Sequence, residues 1–219
     1  MLLLGHRGYH QSHPENTLEA FAAALALGVD GIETDVRLST DGLPILFHDR
    51  LAPSGTPVAE LTRAQLEAET GHPIPTLDEA LAAWAEPLWN LEVKTPAAVP
   101  VTIDVLRRFT RSHRLLVTSF CHLVLAEVAD ALGIECGALC AHAPADPAAF
   151  LRSLRVLHPR LTTTVWPFEP LSETLIDAAR AAQLRLFVYD VETAAELALC
   201  RALAVDGVIL DRPELGRPG

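Results

Sequence analysis

The stretch Gly31-Ile32-Glu33-Thr34-Asp35-Val36 has the pattern of a β-strand with two different faces. Its β-branched residues alternate with Glu33 and Asp35, and β-branched residues are favoured in strands. Because residues i and i+2 of a strand point to the same side, the two carboxylates share one face and the β-branched residues share the other. The pattern alone fits an ordinary strand with one acidic, hydrated face. Whether the two carboxylates have a functional role must be judged from the flanking sequence.

Short strand-like runs alternate with Ala- and Leu-rich helical runs along the chain of 219 residues. This alternation predicts a single-domain (β/α)8 TIM barrel over residues 1–219, with an open doubly wound sheet as the alternative. The loop-like segment 51–75 holds one short helical turn, so we expect a minimal insertion after the second strand. The eight predicted strands are 2–4, 31–36, 88–93, 115–118, 136–139, 161–165, 186–189 and 207–210.

Asn16 stands three residues before Glu19, at the start of the first predicted helix, 17–27. This spacing is typical of a capping box, in which the side chain of the residue before a helix binds the backbone of its first turn. We therefore expect Asn16 to cap this helix.

If the chain forms a barrel, several charged side chains are predicted to point into its interior. If the apolar residues of strands 31–36 and 88–93 face the helices, then Glu33, Asp35, Glu92 and Lys94 point inward. Barrel interiors are usually apolar, and unpaired carboxylates there carry a high desolvation penalty. The three carboxylates would form an oxygen cage for Mg²⁺ or Ca²⁺, which bind such ligands. The alternative is a buried charge network in which Lys94, the one lysine among 17 basic residues, neutralises the acids.

Two histidines stand beside the ends of predicted strands. His6 follows the first strand within His6-Arg7-Gly8, and His48 follows the extended run 43–47. Active sites of this fold lie at the carboxyl ends of the strands, where two histidines can serve as general acid and base. Arg7 can bind a phosphate group in bidentate fashion. Taken singly, each histidine could equally be an ordinary surface residue.

Composition limits the class of protein and its partners. Half of the residues are hydrophobic and the net charge is −11, so we expect a large core and no nucleic-acid partner. No apolar run approaches the roughly 18 residues that span a bilayer, and residues 1–7 lack a signal-peptide h-region. We therefore expect a soluble cytoplasmic protein without stable membrane insertion. The four cysteines have no metal-ligand spacing and are expected to be buried free thiols. The oligomeric state stays open.

Nine segments of the chain resemble, in order, the signature of glycerophosphodiester phosphodiesterases. His6-Arg7-Gly8 opens the series, and the acidic strand lies within the third segment. The resemblance therefore spans nearly the whole chain. The nine segments are 6–8, 14–17, 28–36, 40–42, 48–49, 74–77, 90–94, 119–120 and 205–213.

This resemblance implies a TIM barrel that cleaves glycerophosphodiesters to glycerol 3-phosphate and an alcohol. It implies a divalent metal cofactor, Mg²⁺ or Ca²⁺, and a small-molecule glycerophosphodiester as the binding partner. It leaves open which histidine is the acid, and whether water or the 2-hydroxyl of the glycerol attacks. The implied site residues are catalytic His6 and His48, metal ligands Glu33, Asp35 and Glu92, and substrate- or phosphate-binding Arg7 and Lys94.

One departure from the family lies near the seventh strand. The family commonly has a Trp-Thr-Val-Asn type run there, and this chain has Tyr189-Asp190-Val191-Glu192. Tyr189 would still supply an aromatic wall for the substrate, while the two added acids alter the mouth of the site. Trp166 is a second candidate for this wall, with core packing as the alternative. The loop after the first strand is also rich in histidine, with His10 and His13.

Three other functions stay open at this point. A lysophospholipase D-like enzyme would use the same residues on a lipid substrate. A non-catalytic phosphodiester-binding barrel would need neither His6 nor His48. A TIM-barrel isomerase or aldolase would use Lys94 as a Schiff-base nucleophile.

Overall fold

Eight parallel strands form a closed barrel in the computed structural model, which describes residues 1–216. A ninth, short strand pairs with the second strand outside the barrel. The nine strands are β1 (Leu2–His6), β2 (Gly31–Leu38), β3 (Pro44–Leu46), β4 (Leu88–Val93), β5 (Arg114–Ser119), β6 (Glu135–Leu139), β7 (Leu161–Pro167), β8 (Arg185–Tyr189) and β9 (Gly207–Leu210).

Helices follow the barrel strands and cover their outer faces, except for the second helix, which lies in the segment between β3 and the next helix. The helices are α1 (Leu18–Ala26), α2 (Arg63–Thr70), α3 (Leu77–Ala83), α4 (Val99–Leu106), α5 (His122–Leu132), α6 (Pro147–Leu157), α7 (Glu173–Ala181) and α8 (Ala194–Ala202). Short 3₁₀ helices cover Val58–Glu60, Pro96–Ala98 and Pro213–Gly216. The last of these follows β9 at the end of the described residues.

The order of the strands around the ring is β1, β2, β4, β5, β6, β7, β8 and β9, and every neighbouring pair is parallel. Pairing of β9 with β1 closes the ring. β3 runs antiparallel to the far end of β2, with Leu46 opposite Val36. The predicted (β/α)8 barrel is therefore confirmed, and the doubly wound sheet is excluded for these residues.

A layer of large apolar side chains fills the lower part of the barrel. Seven of the eight barrel strands each contribute one buried residue to it, and β2 contributes Gly31 at the same level. A Cβ atom on Gly31 would lie 2.3 Å from the carbonyl oxygen of Leu88, so β2 and β4 approach too closely for any side chain there. The seven residues are Leu4, Leu88, Leu116, Leu139, Val165, Phe187 and Ile209.

The outer face of β2 packs against the helices, as its alternating pattern predicts. Ile32 and Val36 are fully buried in the large cluster between strands and helices, together with Phe21 of α1. The ring of Phe21 meets that of Trp89 edge to face, at 5.5 Å between centroids. Because this face is apolar and covered, Glu33 and Asp35 point into the barrel above the apolar layer.

The segment between β3 and α3 forms a small unit of its own. It contains the 3₁₀ helix Val58–Glu60 and α2, which begins with a complete capping box formed by Thr62 and Gln65. A separate apolar cluster holds this unit to β3 and includes Ile45, Leu66 and Ile74. The insertion after the second barrel strand is therefore minimal, as predicted. Within residues 1–216, no helix is both long enough and apolar enough to cross a bilayer.

Candidate active site

A cavity of about 160 Å³ opens above the apolar layer, at the carboxyl ends of the barrel strands. Its position agrees with the place where this fold carries its active sites. One side is charged and the other is apolar and aromatic. The residues that line it are His6, Arg7, Glu33, His48, Asn90, Glu92, Lys94, Phe120, Leu139, Tyr189 and Ile209.

Three buried carboxylates meet beside the cavity, and two of them, Glu33 and Glu92, belong to its lining. In the β2–β4 ladder Asp35 stands opposite Glu92, and Glu33 is one inward position below Asp35. One oxygen from each of the three residues lies within 4.8 Å of the others. Burial, together with the nearby charges of Asp35 and Glu92, raises the pKa of Glu33 to about 8. The cluster is therefore short of positive charge.

Lys94 neutralises only part of this cluster. Its Nζ lies 2.8 Å from Oδ1 of Asp35 and 2.8 Å from Oε2 of Glu92. Burial favours the protonated form of Asp35, but Lys94 and Arg7 outweigh it and lower the pKa of Asp35. Burial dominates at Glu92, whose pKa is raised despite the ion pair with Lys94. Hard oxygen donors that retain net negative charge fit a divalent cation such as Mg²⁺ or Ca²⁺.

Arg7 and Gly8 turn the chain sharply as it leaves β1. Arg7 adopts a left-handed conformation with φ of 53°, and its backbone N–H donates to the carbonyl of Glu33 at 2.8 Å. Gly8 has φ of +83°, and a Cβ there would lie 2.5 Å from the backbone of Ala20, so glycine is required. The turn brings Nε of Arg7 to 3.4 Å from Oδ2 of Asp35 and Nη1 to 2.8 Å from Glu15.

Asn16 supports the carboxylate cluster instead of capping α1. The helix is capped by Thr17, whose side chain accepts from the backbone of Ala20, so the prediction for Asn16 is wrong. Asn16 is buried, and its Nδ2 donates to Oδ2 of Asp35 at 2.9 Å. Its Oδ1 accepts from Oγ1 of Thr34 at 2.6 Å. A left-handed φ of 57° turns the side chain inward, and sequence reasoning missed this role.

The two predicted histidines face the same cavity, His6 from the end of β1 and His48 from the loop after β3. Nδ1 of His6 contacts Oδ1 of Asp211, and its Nε2 lies 3.7 Å from Oε2 of Glu33. Nδ1 of His48 lies 2.9 Å from Oδ1 of Asp49, and its carbonyl accepts from Nε of Arg37 at 2.8 Å. In both residues Nδ1 meets a carboxylate, which leaves Nε2 for a ligand in the cavity.

The electrostatics around His6 favour its charged form. Burial lowers the pKa of His6, but the contacts with Asp211 and Glu33 outweigh this effect and leave it raised. His10, from the loop after β1, reaches the same carboxylate, with Nε2 at 3.1 Å from Oδ1 of Asp211. His13 instead pairs with Ser12 at 2.8 Å.

Tyr189 and Phe120 form the aromatic wall of the cavity. The hydroxyl of Tyr189 donates to the carbonyl of Cys140 at 3.1 Å, and burial raises the pKa of Tyr189 to about 12. Trp166 is fully buried in the cluster between strands and helices and donates to Oγ1 of Thr164 at 2.6 Å, so it is a core residue. Sequence reasoning missed Phe120, although it lies in the Ser119-Phe120 segment of the family resemblance.

Asn90 presents an unused donor to the cavity. Its Oδ1 accepts from Oγ1 of Thr118 at 2.9 Å, while its buried Nδ2 has no hydrogen-bond partner within residues 1–216. A buried amide N–H without a partner is unfavourable, so this atom suits an oxygen of a bound ligand.

The sequence profile of the glycerophosphoryl diester phosphodiesterase family matches residues 6–215. A glycerophosphodiester phosphodiesterase of Caldanaerobacter subterraneus is 28% identical over 97% of this chain and 95% of its own length. Another, from Bacillus altitudinis, is 27% identical over the same shares of 97% and 95%.

Solved structures share the fold. The glycerophosphodiester phosphodiesterase of Thermotoga maritima superposes with a TM-score of 0.87 and 26% identity, covering 99% of this chain and 96% of that one. A phosphodiesterase of Oleispira antarctica, solved in complex with the product sn-glycerol-3-phosphate, has a TM-score of 0.83 and 22% identity over 98% and 94% of the two chains.

Proposed function

Since the chain belongs to the glycerophosphoryl diester phosphodiesterase family, we propose that it hydrolyses glycerophosphodiesters to glycerol 3-phosphate and an alcohol with a divalent metal and two histidines. Phosphoric diester hydrolysis itself follows from the family. The observation that carries the finer proposal is one cavity that holds His6 and His48 beside the three buried carboxylates. Residues 1–219 would then act as one catalytic domain, which we expect in the cytoplasm.

Glu33, Asp35 and Glu92 would hold the metal, which we expect to be Mg²⁺ or Ca²⁺. When bound, such an ion neutralises charge on the phosphate oxygens and so favours attack at phosphorus. The donor groups themselves support a metal at this place. Three buried carboxylates have only Lys94 and Arg7 as nearby cations, and Arg7 also pairs with Glu15. The product named for the Oleispira antarctica structure agrees with a glycerol phosphate ligand for this cavity.

Cations and donors of the chain would hold the phosphodiester in place. Arg7 and Lys94 line the cavity and carry positive charge toward the phosphate oxygens. The free Nδ2 of Asn90 adds a neutral donor at the same wall. Tyr189 would contact the carbon skeleton of the substrate on the opposite side.

The two histidines would move the protons. One takes a proton at Nε2 from the attacking oxygen, either water or the 2-hydroxyl of the glycerol, and the other gives a proton to the leaving alkoxide. An alkoxide is a poor leaving group near neutral pH, so the acid contributes strongly. The carboxylates at the two Nδ1 atoms, Asp211 and Asp49, leave both Nε2 atoms available for this exchange.

A Schiff-base role for Lys94 is disfavoured. Such chemistry needs a neutral amine. The pKa of Lys94 is raised instead, because Asp35 and Glu92 outweigh the effect of its burial.

The proposal is tested by release of glycerol 3-phosphate from glycerophosphocholine. His6→Ala and His48→Ala should each lower kcat about 10²–10⁴-fold. His158→Ala, which changes a histidine paired with Asp130 outside the cavity, is the matched control. Excess EDTA should abolish turnover, and Mg²⁺ or Ca²⁺ should restore it. Turnover that persists in EDTA would rule out the metal, and near wild-type turnover of either folded histidine variant would rule out the two-histidine scheme.

A lysophospholipase D-like activity is the second candidate. Phe120 lines the cavity and is 48% exposed, which leaves an apolar surface at the rim where an acyl chain could lie. Lysophosphatidylcholine and glycerophosphocholine present the same headgroup with and without that chain. A higher kcat/KM for lysophosphatidylcholine would favour this candidate.

A further inference from the structure

One carboxylate beside the cavity joins two histidines that lie far from it in sequence. Asp211 follows β9 directly, and its Oδ1 contacts Nδ1 of His6 at the end of β1. The same oxygen lies 3.1 Å from Nε2 of His10. The two imidazole rings are close to perpendicular, at 85°, with centroids 6.2 Å apart. His10, Asp211 and His6 therefore form a continuous chain of contacts that ends at the cavity.

The chemistry of the carboxylate fixes the protons on both rings. Contacts with His6 and His10 hold the pKa of Asp211 well below its usual range, so it is ionised at neutral pH. An ionised carboxylate accepts hydrogen bonds and cannot donate them. Nδ1 of His6 and Nε2 of His10 must then both carry a hydrogen. Once Nδ1 of His6 carries a hydrogen, Nε2 becomes the atom that exchanges a proton with a ligand.

We propose that Asp211 is a positioning residue that holds His6 in the Nδ1–H tautomer with Nε2 in the cavity, and that His10 orients Asp211 for this task. The catalytic part of this inference rests on the proposed function. The tautomer of His6 is a property of the free protein and can be measured without any substrate.

Exposure explains why Asp211 needs a second partner. Its side chain is 43% exposed, so a single hydrogen bond would leave it free to rotate into solvent. His10 is more enclosed, with 23% of its side chain exposed, and it meets the same oxygen as His6. Outer partners of this kind fix the tautomer and orientation of a functional imidazole.

The first experiment measures the tautomer of His6 in the full-length protein labelled with [¹⁵N]histidine. Two-bond ¹H–¹⁵N spectra are recorded over a pH series, and His6→Ala identifies the signals of His6. At pH values above the pKa of His6, where its ring is neutral, they should show a hydrogen on Nδ1 and none on Nε2. In D211N the amide can donate to Nδ1, so His6 should shift toward the Nε2–H tautomer. D130N is the matched control, since it removes the partner of His158 at 3.0 Å and should leave the signals of His6 unchanged.

The second experiment measures kinetics on glycerophosphocholine. A comparable change in the Ser-His-Asp triad, of Asp to Asn, lowers kcat about 10⁴-fold through the wrong tautomer, so we expect about 10²–10⁴-fold for D211N with little change in KM. H10A should cost about 10-fold in kcat, the lower end of what loss of such an outer partner typically costs, and H10Q, which keeps a side-chain N–H, should recover most of it. D130N should leave both constants unchanged.

The results separate this inference from the proposed function. An Nε2–H tautomer of His6 in the wild-type protein would overturn the inference by itself, even if D211N failed to fold. A folded D211N with unchanged tautomer and kcat within about threefold would overturn it as well. If the wild-type protein cleaved no glycerophosphodiester, the proposed function would fail, while the tautomer shift in D211N would still support the role of Asp211.

Discussion

Replacing Lys94 by Met tests whether the interior charges behave as a buried network. Lys94 bridges Asp35 and Glu92 at 2.8 Å each, and only 10% of its side chain is exposed. Met keeps most of the side-chain volume and removes the charge. Two buried carboxylates then lose their shared cation, and breaking a buried pair in this way typically costs about 3–5 kcal/mol.

Arg63 provides a control with the same arrangement at the surface. It bridges Glu67 at 3.1 Å and Glu79 at 2.8 Å, but it lies in the insertion, where the side chains of Glu67 and Glu79 are 32% and 44% exposed. Because solvent screens such pairs, R63M should cost at most about 1 kcal/mol. The two variants therefore differ in burial and agree in the number of ion pairs removed.

The assay is urea denaturation of wild type, K94M and R63M in EDTA, followed by the same series with Mg²⁺ or Ca²⁺. The metal should recover more stability in K94M than in wild type, because it supplies the charge that Lys94 no longer provides. A ligand at 100 times its dissociation constant stabilises by about 2.7 kcal/mol. Equal losses below about 1 kcal/mol for K94M and R63M in EDTA would refute the argument from buried charge.

Three further outcomes follow from local packing and hydrogen bonding. Gly31→Ala should lower the free energy of unfolding by about 1–3 kcal/mol, because its Cβ would meet the carbonyl of Leu88 at 2.3 Å. Gly137→Ala should cost less, since its nearest contact is a side-chain methyl group at 3.1 Å, and urea melts would compare the two. Asn16→Ala removes a donor to a buried carboxylate, which is worth about 1.5–3 kcal/mol, and calorimetry should show weaker metal binding. Of the four cysteines only Cys121 is partly exposed, and burial raises the pKa of Cys136 and Cys140 to about 12 and that of Cys200 to about 11. Ellman's reagent at pH 8 should therefore modify at most one thiol before denaturation and four after it.

The sequence predicts the barrel well because the signal is local. A strand has a period of two, so the β-branched residues of β2 specify which face meets the helices, and Glu33 and Asp35 take the other face. The same alternation in β4 predicts that Glu92 and Lys94 also point inward. The contacts of Lys94 with Asp35 and Glu92 confirm this prediction. Where the pattern repeats over neighbouring residues, local reasoning is sufficient.

Side chains that act across long sequence distances are harder to predict. Asn16 stands where a helix cap is expected, and local spacing gives no sign that a left-handed backbone turns it toward Asp35, 19 residues away. Asp211 meets His6 across 205 residues, a contact that exists only because β9 closes the ring against β1. Such a pair can be predicted only once the closed barrel is recognised, since closure places the first and last strands side by side.

The apolar layer below the site gives the charged cluster its strength. Leu88 of β4 lies one inward position below Asn90 and two below Glu92, so the acids rest on hydrocarbon and have little access to water from beneath. In such a setting an ionised carboxylate without a partner is unfavourable. The raised pKa of Glu33 reflects this, because the buried carboxyl group binds a proton more readily. A divalent cation would displace the proton and relieve the repulsion at the same time. The layer that stabilises the barrel would therefore also strengthen the binding of a cation by the cluster, and a smaller residue in place of Leu88 should weaken both stability and metal affinity.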